Sequence, residues 1–393
     1  MSIRRIKFIS HEASRTGAPI ALLELLKNLD ICGYTADITL LAGGPLKGEF
    51  EELYPTRKSS VDKLKREAKI KSAFARSLDL FKKNHQNRLA YLHSHSYEYL
   101  HVAKELRYPA ICHVHEVPLS FKFVDKKTLE LFKLYPAKYI AVSQYVQEML
   151  RDEIGVPESR IVHIPTGIDT DKWRRENDGK SLRNELNIAP NAIVVGGSGQ
   201  LIPLKGTDIW IRAAKKLTEI FPQKDLHFVW VGGCDKSSIL YDQLMLREAE
   251  HLGIKGKVHL IGHRSNPKPY FEMFDVFALT SRLESFSMVC LENTLLGTPS
   301  VAFRVTGGPQ EFGEKNIAYL VDGFSARCMA EKIVSIISNP QESKEFVNNA
   351  SLIIKKEYDI KVTAGSIRKI IDEVYENQAR QEKMHYSQYS KIN

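Results

Sequence analysis

The chain has 393 residues, 43% of them hydrophobic, and a formal net charge of +9. That length supports two domains with a sizeable core each, and no apolar run approaches the roughly eighteen residues of a membrane span, so a cytoplasmic protein is expected rather than an integral membrane one. The basic balance favours an anionic partner such as a nucleotide, anionic lipid or nucleic acid, while Cys32, Cys112, Cys234, Cys290 and Cys328, with no C-x-x-C pair, read as reduced core residues.

From the N-terminus, Met1-Ser2-Ile3-Arg4-Arg5 leads into a strand at 7–10 with no apolar signal region. The turn His11-Glu12-Ala13-Ser14-Arg15-Thr16-Gly17-Ala18-Pro19 follows, then an apolar helix over 20–29. Gly17 permits close backbone approach and Pro19 suits a first helical turn, which outlines a phosphate or sugar cradle; the spacing is not G-x-G-x-x-G, and a plain tight turn also fits. A second strand is expected at 36–42. Between Thr56 and Arg88, eleven Lys and Arg stand against three acidic residues, and Leu64, Ala68, Ile70, Phe74, Leu78 and Phe81 recur at helical spacing. A basic amphipathic helix is therefore expected over 56–88, able to lie on anionic lipid or to pack its stripe on the sheet. Nucleic acid is not the expected partner, because aromatic residues are not interleaved on the basic face as a stacking platform requires.

Strands at 89–92, 110–114, 139–142 and 161–164 then alternate with helical patterns, which implies a parallel, doubly wound sheet. His113-Val114-His115-Glu116 ends one of these strands on the edge where such sheets bind ligands. Alternation would point His115 and Glu116 to opposite sides, which argues against a metal there. Residues 169–186 are polar and read as an interdomain linker. The pattern then restarts with a strand at 192–195, Gly196-Gly197-Ser198-Gly199, and Lys205-Gly206-Thr207-Asp208 opening a helix, followed by strands at 228–231, 258–261, 275–279, 300–303 and 318–321. With about six strands in each half, the fold class is α/β, two Rossmann-like doubly wound domains facing each other across a cleft.

In the second half, Glu284 and Glu292 stand eight residues apart in Glu284-Ser285-Phe286-Ser287-Met288-Val289-Cys290-Leu291-Glu292. On one helix they would lie within about 80° of each other and about 12 Å apart along its axis, too far to share a proton but suited to the two ends of one extended ligand. Ser285 and Ser287 are N-cap types whose neighbouring amides would meet an anion. The same predicted sheet edge collects Gly199, Gln200, Lys205, His263, Arg264 and Thr306-Gly307-Gly308-Pro309-Gln310-Glu311. Glycines admit a ligand to the backbone, lysine supplies a point charge for phosphate, and carboxylates accept from hydroxyls, the mixture that a nucleoside-diphosphate sugar would use.

At these residues the sequence resembles the retaining glycosyltransferases of family 4, which have the two-domain GT-B fold. The resemblance covers nearly the whole chain and is carried by the Glu284 and Glu292 motif, Lys205-Gly206, the segment from Thr306 to Glu311, and Pro165-Thr166-Gly167-Ile168-Asp169. It implies that Glu292 holds ribose hydroxyls, that Glu284 contacts the donor sugar, and that the amides of Ser285, Phe286 and Ser287 meet the diphosphate or sugar. Lys205 would stabilise the leaving diphosphate, with Gly199, Gln200, His263 and Arg264 on the donor side. His115 would sit by the donor sugar, making His115, Lys205 and Glu284 the catalytic set, and Gly17 would lie near the phosphates. It further implies domains over 1–170 (acceptor side) and 171–365 (donor side), with 366–393 crossing back to the first. Gln200 stands where the family commonly has arginine, Thr166 where asparagine is usual, and Ser285 and Ser287 where glycines are common.

The expected reaction moves a sugar from a UDP- or GDP-sugar to a carbohydrate or lipid-linked glycan acceptor, in polysaccharide, lipopolysaccharide or glycolipid synthesis, with no metal or other cofactor. A peripheral position on an anionic membrane surface is a further expectation. Three alternatives remain open. A non-catalytic nucleotide-sugar-binding protein of the same fold would fit Gln200. A metal-dependent transferase would use Asp169-Thr170-Asp171, which reads better as a turn, and an NAD-dependent oxidoreductase would need a G-x-G-x-x-G that neither half contains.

Overall fold

A computed structural model describes residues 4–77, 87–177, 179–234 and 240–389. The chain forms two compact units, Met1–Gly167 with Ile360–Asn393, and Ile168–Asp359.

The first unit is built on a seven-stranded parallel sheet of order β3-β2-β1-β4-β5-β6-β7. Its strands are β1 Arg4–Ser10, β2 Tyr34–Leu40, β3 Thr56–Lys58, β4 Arg88–His93, β5 Ala110–Val114, β6 Lys138–Ala141 and β7 Ile161–His163. β4 and β5 are buried almost throughout, which is why they read as continuous apolar runs rather than alternating ones. The order reverses between β1 and β4, and ligands of open α/β sheets bind outside the strand ends at such a point. The core joins Phe8, Leu22, Leu26, Ile38, Leu89 and Tyr91 to Ile367, Ile371 and Tyr375 of the last helix, Ile360–Tyr389. That helix is tied down by the Tyr375 hydroxyl, which donates to the Arg5 carbonyl at 2.7 Å, and by Arg368, which donates to the Cys32 carbonyl at 3.0 Å.

The segment 56–88 departs from the single basic helix expected of it. Residues 56–58 form the edge strand β3, the helix spans Val61–Ser77, and Arg88 already opens β4, while 78–86 lie outside the described residues. Leu64 and Ala68, one turn apart, are buried; Ile70 is 70% exposed, because six positions from Leu64 it falls about 240° around the helix.

The second unit carries a six-stranded parallel sheet of order β10-β9-β8-β11-β12-β13. These strands are β8 Ile193–Ser198, β9 Leu226–Val231, β10 Val258–Gly262, β11 Val276–Leu279, β12 Ser300–Phe303 and β13 Tyr319–Val321. Its reversal falls between β8 and β11. Val195, Phe228 and Trp230 from the sheet pack with Trp210 and Leu217 of the helix Thr207–Ile220.

Residues 169–186, expected to link the halves, belong to the second unit. Arg183 of the helix Lys180–Glu185 is buried and donates to the carbonyls of Ala192 at 2.7 Å and Met273 at 3.0 Å. Asp169-Thr170-Asp171 is a turn in which the Asp169 carboxylate accepts from the amides of Asp171 and Lys172, at 3.0 and 3.2 Å. The units divide at Gly167 and at Asp359, whereas the sequence reading placed the divisions after 170 and 365. Ile168 bridges Asp359 across the second unit's entry and exit, and Gly167 packs within the first unit against Ile360 and Thr363. Among the described residues no helix is long and apolar enough to cross a membrane.

Candidate functional site

In the second unit, the site forms where β8 and β11 end. After β8 the chain passes through Gly199 and the exposed Gln200 to the short helical turn Pro203–Lys205. Gly206 follows in the left-handed region, with φ +66°, and a Cβ there would meet the Thr280 carbonyl oxygen at 1.9 Å. Only glycine lets the lysine turn approach β11 this closely. The Lys205 side chain lies over Gly199, where an added Cβ would stand 3.3 Å from its Cδ.

From β11 the chain runs through Thr280 and Ser281 to Glu284, which is 9% exposed. Glu284 is not on the helix. It lies in an extended bridge to Gly307, its amide donating to the Thr306 carbonyl at 2.8 Å while its carbonyl accepts from Gly308 at 2.9 Å. The helix spans Met288–Leu295 and so excludes Glu284, and the expected helical angle and axial separation between Glu284 and Glu292 do not hold. Gly308 explains the placement, because a Cβ there would strike the Ser285 carbonyl oxygen at 2.3 Å; the bridge requires the two loops to touch.

This arrangement brings Glu284 to Lys205. The lysine Nζ donates to Glu284 Oε1 at 2.5 Å, and the Ser281 hydroxyl donates to the same oxygen at 2.7 Å. A lysine ammonium has three donors, so two remain for a ligand. Ser287 precedes the first helical turn, but its hydroxyl does not cap the helix. Phe286 is buried with its ring against Phe312 at 5.1 Å, so its side chain belongs to the core and only its backbone can face a ligand.

Glu292 sits within the helix with no hydrogen bond to its carboxylate among the described residues. Desolvation pushes that carboxyl up to about 8, with Lys172 opposing. Hydrogen bonds donated by a diol would favour its charged form. Burial first, then the charges of Glu284 and Glu292, push the Cys290 thiol between them up to about 12.

The arginines near this edge differ in availability. Arg282 forms a two-pronged pair with Asp208 at 2.8 and 2.7 Å, and Arg304 pairs with Asp322 at 2.7 Å. His263 and Arg264 follow β10 and are exposed; Arg264 donates to the Tyr270 hydroxyl at 2.9 Å and has no carboxylate partner among the described residues.

In the first unit, Gly17 is exposed and opens the helix Gly17–Asn28 after β1, with Thr16 in extended conformation before it. The preceding turn is organised by Glu12, whose carboxylate accepts from the Ser14 hydroxyl at 2.5 Å. His115 follows β5 and is half-buried. Burial, then the neighbouring imidazoles His113, His11 and His95, hold it well below the usual histidine range. Glu116, also at that strand end, is structural: its carboxylate accepts from Ser94 at 2.6 Å, from Tyr97 and from the His115 amide at 3.0 Å.

Sequence reasoning missed Ser281 and the Asp208–Arg282 pair, which no spacing signals, and it missed His93, which reaches His113 only through the pairing of β4 with β5. His113 and His115 are marked by their H-x-H spacing, which on a strand places both rings on one face.

Residues 178–352 match the family model described as glycosyl transferases group 1, and residues 15–172 match the model described as glycosyltransferase family 4. Among similar proteins, the D-inositol 3-phosphate glycosyltransferase of Corynebacterium urealyticum is 30% identical over 193 residues, 47% of this chain and 45% of that one. A GDP-mannose-dependent alpha-(1-6)-phosphatidylinositol monomannoside mannosyltransferase of Mycolicibacterium smegmatis is 27% identical over 249 residues, 60% of this chain and 62% of its own. The chain thus spans about half the length of the curated relatives it matches. Among solved structures, Anabaena HepE in complex with UDP-glucose aligns with TM-score 0.79 at 22% identity, covering 94% of this chain and 99% of that one. The sucrose-phosphate synthase of Thermosynechococcus elongatus aligns with TM-score 0.74 at 17% identity, covering 95% and 100%. At these identities the likeness shows the fold, which is GT-B.

Proposed function

This chain belongs to glycosyltransferase family 4, and we propose that it moves a sugar from a nucleoside diphosphate to an acceptor hydroxyl with retention at the anomeric carbon. The observation that carries the reading is the Lys205–Glu284 pair at the β8/β11 reversal, on a backbone kept thin by Gly199 and Gly206. Glu284 orients the ammonium and keeps a second carboxylate oxygen for a sugar hydroxyl. The two remaining lysine donors and the first amides of the helix Met288–Leu295 stabilise charge on the departing diphosphate. Preorganised donors of this kind contribute about 3 kcal/mol each to such a step. The donor phosphate takes the acceptor proton, and Glu292 accepts from the ribose hydroxyls. Arg264 supplies the positive charge that Gln200 lacks. In the first unit we assign His115 to the donor sugar and Gly17 to the phosphates, as the family resemblance implies.

The donor is proposed to be a UDP- or GDP-sugar, since UDP-glucose is bound by HepE and the mycobacterial relative is named for GDP-mannose. The acceptor is proposed to be a lipid-linked or polymeric glycan at an anionic membrane surface. Lys65, Lys69, His101, Lys104 and Arg107 line a cavity of about 520 Å³ in the first unit, and Phe123, 86% exposed, stands among Lys122, Lys126 and Lys127. No metal is assigned to the diphosphate, whose charge the protein's own donors meet.

A thermal-shift screen against UDP, GDP and their sugars, with and without a divalent-ion chelator, tests this reading. A ligand at 100 times its Kd stabilises by about 2.7 kcal/mol. One nucleotide family should raise the Tm regardless of chelator, and Glu284→Gln should abolish donor consumption. No shift with any nucleotide, or a shift that needs divalent ion, would refute it. One observation favours a second reading, a nucleotide-sugar binder without turnover: Gln200 is uncharged, and Arg282 and Arg304 are already paired. Binding with no donor consumption in any acceptor mixture would select it.

A further inference from the structure

The carboxyl ends of β4 and β5 gather three imidazoles. His93 and His113 are register partners on adjacent strands, so their side chains share a face of the sheet, and His115 lies two residues past His113, the spacing that returns to that face. Ring centroids are 4.9 Å apart for His93 and His113, 4.3 Å for His93 and His115, and 4.4 Å for His113 and His115. One nitrogen from each ring falls within 4.8 Å of the other two. His93 is fully buried and His113 is 3% exposed, yet both His93 nitrogens, Nε2 of His113 and Nε2 of His115 lack any hydrogen-bond partner among the described residues. Buried polar atoms are almost always partnered, and four orphans converging in one place mark a site built for something absent from the chain itself.

The chemistry of the set selects the occupant. His113 Nδ1 lies 2.8 Å from the Tyr91 hydroxyl. With that nitrogen donating, Nε2 presents its lone pair inward, the outer-partner arrangement that orients metal-binding histidines. Glu116, the nearby carboxylate, is engaged by Ser94, Tyr97 and the His115 amide, so the cluster offers imidazole nitrogen and no free oxygen. Magnesium and calcium want oxygen ligands; zinc and its neighbours in the first transition row take imidazole.

We propose that His93, His113 and His115 form a three-imidazole site for a divalent transition-metal ion of the zinc type, with the fourth position left to water or a ligand. Zinc holds imidazole nitrogen at about 2.0–2.1 Å, which places ligand nitrogens about 3.3 Å apart, so modest ring rotations close the present spacing. This ion is separate from donor-diphosphate chemistry. Where His115 also serves the donor sugar, a consequence that alone rests on the transferase reading, metal loading competes with that role and slows donor consumption.

The test uses the full chain, stripped with chelator and titrated with Co²⁺ by visible ligand-field absorption and with Zn²⁺ by calorimetry. One equivalent should bind, and His93→Gln and His115→Ala should each weaken binding at least tenfold. His259→Gln is the control, because His227 and His259, 3.0 Å apart in the other unit, are another adjacent imidazole pair. Should His93→Gln fail to fold, His115→Ala at the half-buried edge decides alone. Absence of a saturable band, or binding untouched by His115→Ala but lost in His259→Gln, overturns the site. The nucleotide-induced thermal shift is read separately, so failure of the metal site leaves the donor reading standing and the reverse.

Discussion

Removing the lysine from the Lys205–Glu284 pair should destabilise the second unit more than removing the charge from the glutamate. The Glu284 side chain is 11% exposed and that of Lys205 25%. Lys205→Met leaves a nearly buried carboxylate with one neutral donor, the Ser281 hydroxyl at 2.7 Å. Stripping the partner from a fully buried ion pair costs about 3–5 kcal/mol, and the residual exposure here brings the expectation to about 2 kcal/mol. Glu284→Gln keeps a hydrogen-bonding side chain beside Ser281 and leaves an ammonium that reaches water, for about 1 kcal/mol or less. The double variant should be more stable than Lys205→Met alone, since no charge is then unpaired. All three tryptophans, Trp173, Trp210 and Trp230, lie in the second unit, so their fluorescence during urea or thermal unfolding reports that unit separately. At about 2–4 °C per kcal/mol for a unit of this size, Lys205→Met should lower its Tm by about 4–8 °C. Equal losses in the two single variants, or a double variant as unstable as their sum, would refute the coupling.

Glu292 makes stability depend on pH. Its folded carboxyl titrates at about 8 against an ordinary value of 4.5, so between those values the native state holds a proton that the unfolded state has released, and stability falls as pH rises through the window. Urea unfolding from pH 5 to 8 should show that decline in the native protein and a flatter profile in Glu292→Gln; parallel profiles would remove the desolvated carboxyl. Gly206→Ala should cost about 2 kcal/mol or more and impair nucleotide binding, because the Cβ meets backbone oxygen at a left-handed φ. Gly253→Ala, with φ +71° and nothing within 4 Å, should cost only about 1 kcal/mol, and equal effects in the two would count against steric exclusion. Because Arg264 is proposed to supply the charge that Gln200 lacks, Arg264→Ala should weaken nucleoside-diphosphate binding by about tenfold in calorimetry, within the range of a charge-assisted hydrogen bond, and adding Gln200→Arg should restore it; unchanged affinity in Arg264→Ala would remove that assignment. Reversing Lys63, Lys65, Arg66 and Lys69 to glutamate should release the protein from anionic vesicles, each cation near the surface contributing about 1 kcal/mol, and unchanged co-sedimentation would remove the membrane proposal.

The strands that carry both sites were legible because buried parallel strands are short apolar runs between turn signals, as at 110–114 and 300–303. β3 was not, being three residues long, with two of them exposed cations. The glycine and lysine after β8 and the glutamate after β11 could be marked as ligand-edge residues, since their offset from a strand end is a local property. Their mutual contact could not, because residues 205 and 284 meet only through the pairing of β8 with β11.

By itself the sequence determined the alternation of strand and helix, hence two parallel doubly wound sheets, and the residue types that collect at their carboxyl ends. Both follow from interactions within a few positions along the chain: apolar periodicity, glycine freedom and charge. Tertiary structure decided that Glu284 bridges Gly307 rather than riding the helix, that Arg282 is held by Asp208, and that His93 shares a face with His113 and His115. Each depends on the register between strands distant in sequence, and register is set by how whole faces pack, which no local pattern encodes.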